Sequence, residues 1–498
     1  MCKRRILFLF LILHAIAGQD LAMAQKNVDS LLLFREKLVN THWFNSENPI
    51  WIRDLKIPAF TNGGLLFELN EGDFRRPQES EKEELKGFGA KGYSRYRDWR
   101  FYGEFNYSKI IRDSIIYSNV ARPYDGNPFI TADSVGGNWK GDQLKGKLQM
   151  AMPEFGKWKS AISLDYETEQ SARLNEPKPL FRFLNYFVQP AISYEFNNRN
   201  SLSITMAYSR RNETVETGFF SENNPALYSI RGYGTFSRGP VVTAERQTRG
   251  SGLKAGLDYK YKSKNAVFLI GGRIAQRSED INDGVSRPVF IGGFDETRVE
   301  GFFSYEMTSE NRGWIANANG WIRDGIGYDP IFRANNPAYY LSAINSRIGF
   351  WKQINKKKWI NLNARPGLSY SNYYESVAKT EWTSAMLHQD FSAAISYGVN
   401  EKLKLFAEPV FGIHLNLQKN LVINRPGILS EILVRPDFAV NSTDYWKSML
   451  RTSAEYKSGE ISYLLQISYQ HLNANNQYAN GENIGSRNFF HTSMNIIF

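Results

Sequence analysis

One cysteine, Cys2, stands in 498 residues, and it precedes the first apolar run. Disulfides, thiol catalysis and cysteine-ligated metals are therefore excluded, and Cys2 is not placed to carry a lipid anchor after a cleavage site. Long apolar runs are missing too: after the first two dozen positions nothing approaches the roughly 18 residues of a spanning helix, and mean hydropathy is negative. A helical membrane protein is excluded. Histidine is scarce. Beyond the leader only His42, His388, His414, His471 and His491 remain, and none belongs to a two-histidine metal motif. No metal site, cofactor or catalytic residue is expected. His414 shares a strand face with Glu408 and Asn416, but the His-then-Ser-Asn-Gly motif of outer-membrane phospholipases is absent, so it reads as a lumenal polar residue. The chain is expected not to be an enzyme. The formal charge of +11 is spread over strands, turns and loops instead of forming one patch, which argues against a nucleic-acid partner.

What is present begins with a leader. Lys3, Arg4 and Arg5 precede an apolar run from Ile6 to about Gly18, then Ala22-Met23-Ala24, so residues 1–24 read as a removable signal peptide. In residues 25–60, Val28, Leu31, Leu32, Leu38 and Val39 follow helical spacing after Asn27. This predicts a short helix, either resting on a rim in the periplasm or inserted as a plug through Trp43, Trp51 and Ile52.

From residue 61 onward, long segments alternate strictly. Leu403, Leu405, Ala407, Pro409, Phe411, Ile413, Leu415 and Leu417 share one face, opposite Lys402, Lys404, Glu408, Gly412, His414 and Asn416, with Phe406 and Val410 as exceptions. Trp99, Phe101, Gly103, Phe105 and Tyr107 repeat the pattern, as do Leu253, Ala255, Leu257, Tyr259 and Tyr261. Such runs exceed the roughly five or six residues of an ordinary sheet strand. Aromatics near both ends, such as Trp158 with Tyr166 and Trp446 with Tyr456, suit two interfacial belts.

Short turns fall at 94–97, 153–156, 197–200, 263–264, 309–312, 355–357, 399–401 and 458–459, and longer connections separate them. With a first strand near Gly63 to Asn70 and a last near Asn488 to Phe498, the pattern predicts an all-β transmembrane antiparallel barrel of about eighteen strands over 61–498. The count is uncertain by one hairpin, because 214–249 holds a further β-ribbon. Pro190, Pro366 and Pro409 lie mid-strand, where bulges or bends are expected. The motif Asn223-Asn224-Pro225-Ala226 recurs as Asn335-Asn336-Pro337-Ala338, with a weaker echo at Asn127-Pro128, and predicts a repeated loop geometry.

Inward positions carry Lys145, Lys147, Lys254, Lys260, Arg273, Lys402, Lys404 and Arg451, with Glu104, Asp165, Glu167, Asp258, Glu300 and Glu408 among the counter-charges. Two readings stand: an anion-favouring lumen, or a salt-bridged wall. On the final strand Phe490, Thr492, Met494, Ile496 and Phe498 share one face. This resembles the C-terminal signal by which the barrel-assembly machinery recognises outer-membrane proteins. Taken together, these features resemble the outer-membrane barrel families of Bacteroidota, many without assigned function. The resemblance implies the bacterial outer membrane, a lipid surround and the assembly machinery as partners, and association with a TonB-dependent transporter or another envelope protein. A porin-like or accessory uptake channel for small solutes is expected; the alternative is a structural or assembly barrel that binds a partner through its outer loops.

Overall fold

A computed structural model describes residue 43 and residues 46–498, except 56, 219–226, 240–242, 285, 356 and 476–483. The expected helix at 27–39 lies outside the described residues. Eighteen strands form one antiparallel sheet in which each strand pairs with its sequence neighbour. The first, Phe60–Gly72, also pairs with the last, Ser486–Ile497. The sheet is thus a closed barrel, and closure satisfies every edge. Its seam is sealed at one end by reciprocal backbone bonds: Thr61 N–H donates to Phe498 O at 3.2 Å and Phe498 N–H to Thr61 O at 2.9 Å.

The eight short turns occur where the alternation places them, all at one end of the barrel. Their chemistry is local. Asn197 Oδ1 accepts the backbone N–H groups of Arg199 and Asn200, Asn400 Oδ1 those of Lys402 and Leu403, and Asn355 Oδ1 that of Lys357. Gly156 and Gly459 take φ of 60° and 63°, a region from which side-chain-bearing residues are largely barred. At the opposite end the ladders run further than the sequence pattern implies. The connections expected over 279–296, 327–337 and 373–384 shrink to 284–288, 330–333 and 376–379. Strands accordingly reach 22 residues, against the roughly 9–11 that cross a bilayer, and the wall projects beyond the apolar belt at this loop end.

The ribbon expected within 214–249 exists but stays out of the wall. Leu227–Ile230 pairs with Phe236–Gly239 on one side and with Ile130–Asp133 on the other, forming a separate three-stranded sheet. Ile130, Tyr228 and Ile230 pack there against Leu429, beside the π-helical turn Ser430–Val434 and the helix α1, Arg435–Asn441.

The mid-strand prolines do not form bulges. Register is unchanged across each, but the ladder skips: Val188 pairs with Tyr208 and Ala191 with Thr205, with no pairs between them. The same gap follows Asn345 opposite Pro366 and follows Ser392 opposite Pro409. A missing N–H removes one bond without requiring an extra residue. Bulges fall elsewhere, after Ile281, Ile326, Gln353 and Ala385 and between Arg112 and Ile115.

Outward faces are apolar all around the wall. Leu65, Met206 and Leu253 are more than 60% exposed. Leu257, Ile274, Ile344, Leu362, Phe411, Leu415, Leu450, Met494 and Phe498 continue the same belt. An apolar surface of this extent is untenable in water and fits lipid. Exposed Tyr96, Trp158, Trp314, Tyr397 and Tyr456 ring the turn end, and Phe290, Tyr328, Tyr340 and Tyr374 ring the loop end. These are the two belts expected, since amphipathic rings settle at membrane interfaces. The two exceptions on Leu403–Ile423 are explained by what lies inside: Phe406 joins inward-facing Ala394, Leu464 and Ile497 in a buried cluster, and Val410 is buried beside them along the strand.

Candidate functional site in the barrel lumen

The functional space of a closed barrel is its lumen, and here chain segments enter it from both ends. At the turn end, Trp43, residues 46–55 and Ile57 lie inside the wall. Ile50, Trp51, Ile52, Leu55 and Ile57 are buried in one cluster with the inward faces of Tyr93, Tyr102, Leu269 and Phe302. Trp43, Trp51 and Ile52 are thus buried within the barrel. Asn48 begins the 3-10 turn Pro49–Asp54 by accepting Ile50 N–H on Oδ1, while its Nδ2 donates to Ser203 Oγ at 2.7 Å and Asp258 Oδ2 at 2.6 Å. Pro49 at the first helical position has no N–H to leave unsatisfied. Trp43 Nε1 donates to Gln149, Lys260 pairs with Asp54 at 2.6 Å and sits 4.2 Å over the Trp51 ring, and Glu47 pairs with Lys254.

Asn48→Ala removes three of these bonds at once and leaves Asp258 without its shortest donor. We expect a cost of about 1–3 kcal/mol in the docking of this segment. Limited proteolysis of the folded barrel should show faster cleavage within 46–57.

At the loop end, the connection between Trp99–Ile115 and Gly137–Ala151 folds inward. Arg122 pairs with Glu167 of Trp158–Arg173, and Asp125 pairs with Arg211 of Asn200–Gly218. The backbone oxygen of Asp125 accepts from Arg277 at 2.9 Å and from Arg323 at 3.4 Å. Phe129 is buried against Ile281, Phe294 and Tyr339. Gly292 and Gly327 admit its ring, which a β-carbon at 292 would strike. Arg76 of the first outer loop forms a bidentate pair with Asp437 of α1 and lies 3.4 Å over the Tyr124 ring, joining three connections. The two intrusions are held by neighbouring strands: Glu47 contacts Lys254, and Arg277 on the adjacent strand holds the inward loop.

The lumenal basic residues foreseen from the alternation divide by partner. Lys145 faces Glu167, Lys147 faces Asp165, Arg273 faces Asp258, Arg451 faces Glu408, and Lys254 also reaches Glu300. Lys404 is likewise partnered. Lys402 lies in the exposed turn before Leu403, outside the strand. The wall is therefore salt-bridged in large part, and two of its cations, Lys254 and Lys260, are taken by the plug. Phe490, Met494, Ile496 and Phe498 occupy the outward face of the seam strand, as their alternation required. The Asn-Asn-Pro-Ala motif is described only at 335–338, where Asn336 Oδ1 accepts from Ser376 N–H and Oγ and from Val377 N–H; its counterpart at 223–226 lies outside the described residues.

Beside the inward loop a chamber of about 670 Å³ remains, lined also by the strands after residue 358 and the seam. Phe74, Tyr124, Trp139, Tyr445 and Phe489 contribute aromatic surface, and Arg112, Ser369, His388 and Arg487 contribute polar groups. Ser118 and Trp139 bring buried polar atoms without a protein partner to this wall. No group of three or more His, Cys, Asp or Glu able to hold a metal occurs among the described residues.

Residues 49–498 match the model of a family of unknown function, DUF6850. The chain belongs to DUF6850. No curated protein matches this DUF6850 sequence. Among solved structures it is similar to the FrpB iron transporter from Neisseria meningitidis, with 9% identity, TM-score 0.40, and 88% of this chain and 82% of that chain covered. It is also similar to a Pseudomonas aeruginosa FadL homologue, with 9% identity, TM-score 0.33 and 97% of each chain covered. A third similarity is to the toluene transporter TodX of Pseudomonas putida, with 12% identity, TM-score 0.30 and 91% of each chain covered.

Carboxylates at the two intrusions give their docking a pH signature. Burial raises the Glu47 carboxyl, but Lys254, with Arg273 and Arg298, outweighs it and holds the group below its ordinary value. Burial likewise raises Asp125, and Arg211 and Arg277 more than reverse this. A depressed folded-state value means that the stabilisation is present above the ordinary carboxyl range and lost as pH falls through the folded value. Reconstituted DUF6850 protein should therefore hold a constant conductance from pH 7 to 5 and open only below about pH 4. An opening centred near pH 6 would assign the control to other groups.

Proposed function

We propose that this DUF6850 protein is an outer-membrane uptake barrel for small solutes, porin-like in wall construction and narrowed by its own chain. The turn end then faces the periplasm and the loop end faces outside. The observation that carries the reading is the chamber itself. A scaffold barrel gains nothing from a cavity in which Ser118 Oγ and Trp139 Nε1 are buried without a protein partner, because buried polar groups without partners are destabilising. A solute path requires such surface. Long connections that fold into the lumen, instead of standing out from the rim, also support transport over partner capture.

Liposome swelling tests the proposal. Vesicles carrying the full chain should swell in isotonic solutions of small neutral solutes faster than protein-free vesicles, with rates falling as solute size rises. Vesicles that stay impermeable would overturn it.

A further inference from the structure

One feature of the chamber wall exceeds what a solute path needs. Four inward side chains on three adjacent strands form a single hydrogen-bonded chain: Ser369 on Lys358–Glu375, His388 and Asp390 on Thr380–Gly398, and His414 on Leu403–Ile423. Register sets it up, because His388 pairs directly with Gly367 and His414 while Ser369 and Asp390 stand diagonally on either side. Ser369 Oγ lies 2.9 Å from His388 Nε2, His388 Nδ1 lies 2.7 Å from His414 Nδ1, and His414 Nε2 lies 3.2 Å from Asp390 Oδ1.

The chain has a direction. Asp390 as a carboxylate only accepts, so His414 Nε2 carries the hydrogen and its Nδ1 accepts. His388 Nδ1 then donates, leaving Nε2 as an acceptor for the Ser369 hydroxyl. Neutral imidazoles satisfy every position in this order. The surroundings hold it in place: Lys447 pairs with the second oxygen of Asp390, and Tyr445 stacks on His414 with centroids 4.2 Å apart and planes 12° apart. Gly412 completes the seat, since a β-carbon there would overlap Asp390 Oδ1 and crowd His414 Nε2. Ser369 and His388 both face the chamber.

We propose that Ser369 is a nucleophile and His388 its general base, in a lumenal site that cleaves small carboxylic esters. Ser369 Oγ attacks the ester carbonyl carbon while its proton passes to His388 Nε2. Collapse of the tetrahedral adduct breaks the carbon–oxygen bond to the alcohol, which leaves with the proton from His388. Water then attacks the acyl-serine and gives a proton to His388; that proton returns to Ser369 Oγ as the carboxylic acid departs. His414 and Asp390 are positioning residues: they fix the His388 tautomer and stabilise the imidazolium formed in each half-reaction. The chamber volume of about 670 Å³ is ample for a small ester.

The test uses the full chain in detergent, with p-nitrophenyl acetate as substrate and a fluorophosphonate as covalent probe. Mass spectrometry should place the probe on Ser369. S369A should reduce hydrolysis to the chemical background, and H388Q should slow labelling by about 10²–10⁴-fold, the usual contribution of a general base. D390N should change the pH profile of labelling, a readout that a structural role would leave unmoved. Heat-dependent gel migration confirms folding of each variant, and probe labelling and liposome swelling are read on the same wild-type protein, so this proposal and the uptake reading fail separately. Folded wild-type protein that leaves Ser369 unlabelled, or hydrolyses no faster than S369A, would overturn the assignment.

Discussion

Deleting residues 25–55 should raise the single-channel conductance of the reconstituted barrel severalfold and turn its selectivity toward anions. The first effect is one of cross-section. An eighteen-stranded barrel is wide enough for an aqueous lumen, and the segment that narrows it at the turn end buries Trp43, Ile50, Trp51, Ile52 and Leu55 inside the wall. The second effect is one of charge. Glu47 and Asp54 leave with the segment, so Lys260 loses its carboxylate at 2.6 Å and Lys254 keeps only Glu300 at 3.2 Å. Two lumenal ammonium groups then stand with less opposing charge, and a pore is selective for ions opposite in sign to its wall. Reversal potentials across a salt gradient measure this directly. Equal conductance in full and truncated chains would show that the segment does not limit flow; cation selectivity in the truncated chain would refute the charge argument.

The second large effect is expected at the other end. Arg231 follows the ribbon strand Leu227–Ile230 and is almost fully buried, with a bidentate pair to Asp329 at 2.7 and 2.8 Å and a further bond to Ile291 O. Asp329 also accepts Ile331 N–H. Asp329→Ala leaves a buried guanidinium without a counter-charge, for which about 3–5 kcal/mol is the usual cost. The ribbon lies outside the wall's own ladders, so the loss should appear as local release and not as unfolding of the barrel. Protease should cut near 231–235 in the variant, while the heat-shifted gel mobility of the barrel persists. Replacing both partners by apolar residues of similar size, as in R231M with D329L, should recover much of the loss, because no uncompensated charge remains. If the single variant resists protease as the wild type does, the ribbon is held by the apolar contacts of Ile130, Tyr228 and Leu429 instead.

The wall was legible in the sequence because its signal is redundant. The strands repeat the same two-residue period, and the short turns other than Arg97-Asp98 carry Asn, Gly or Ser able to fix a tight geometry. What fills the wall was not legible, for a physical reason. Trp43, Trp51 and Ile52 have no period that separates a plug from a periplasmic segment, since either placement buries them. The three-stranded sheet showed the same limit: its ribbon could be read from 214–249, but its third strand, 130–133, comes from a different connection. The serine relay was hidden more deeply. His414 was visible as an inward histidine, but its neighbours Ser369, His388 and Asp390 come within reach only through the register of two ladders, and register between strands leaves no local mark. Gly412 offered the one available hint, as an inward glycine in an otherwise side-chain-rich face. Likewise the basic residues other than Lys402 fall on strands, but alternation alone does not tell which of them faces a carboxylate.

The plug is joined to the first strand by residues 58 and 59 alone, between buried Ile57 and Phe60. A segment released from the lumen thus cannot diffuse away. Its return is a unimolecular event at the high effective concentration that a short connection enforces. The open fraction is then an intrinsic constant of each molecule, unchanged by dilution or by the density of barrels in the membrane, and any factor that opens the path does so only by competing with this tethered occupant.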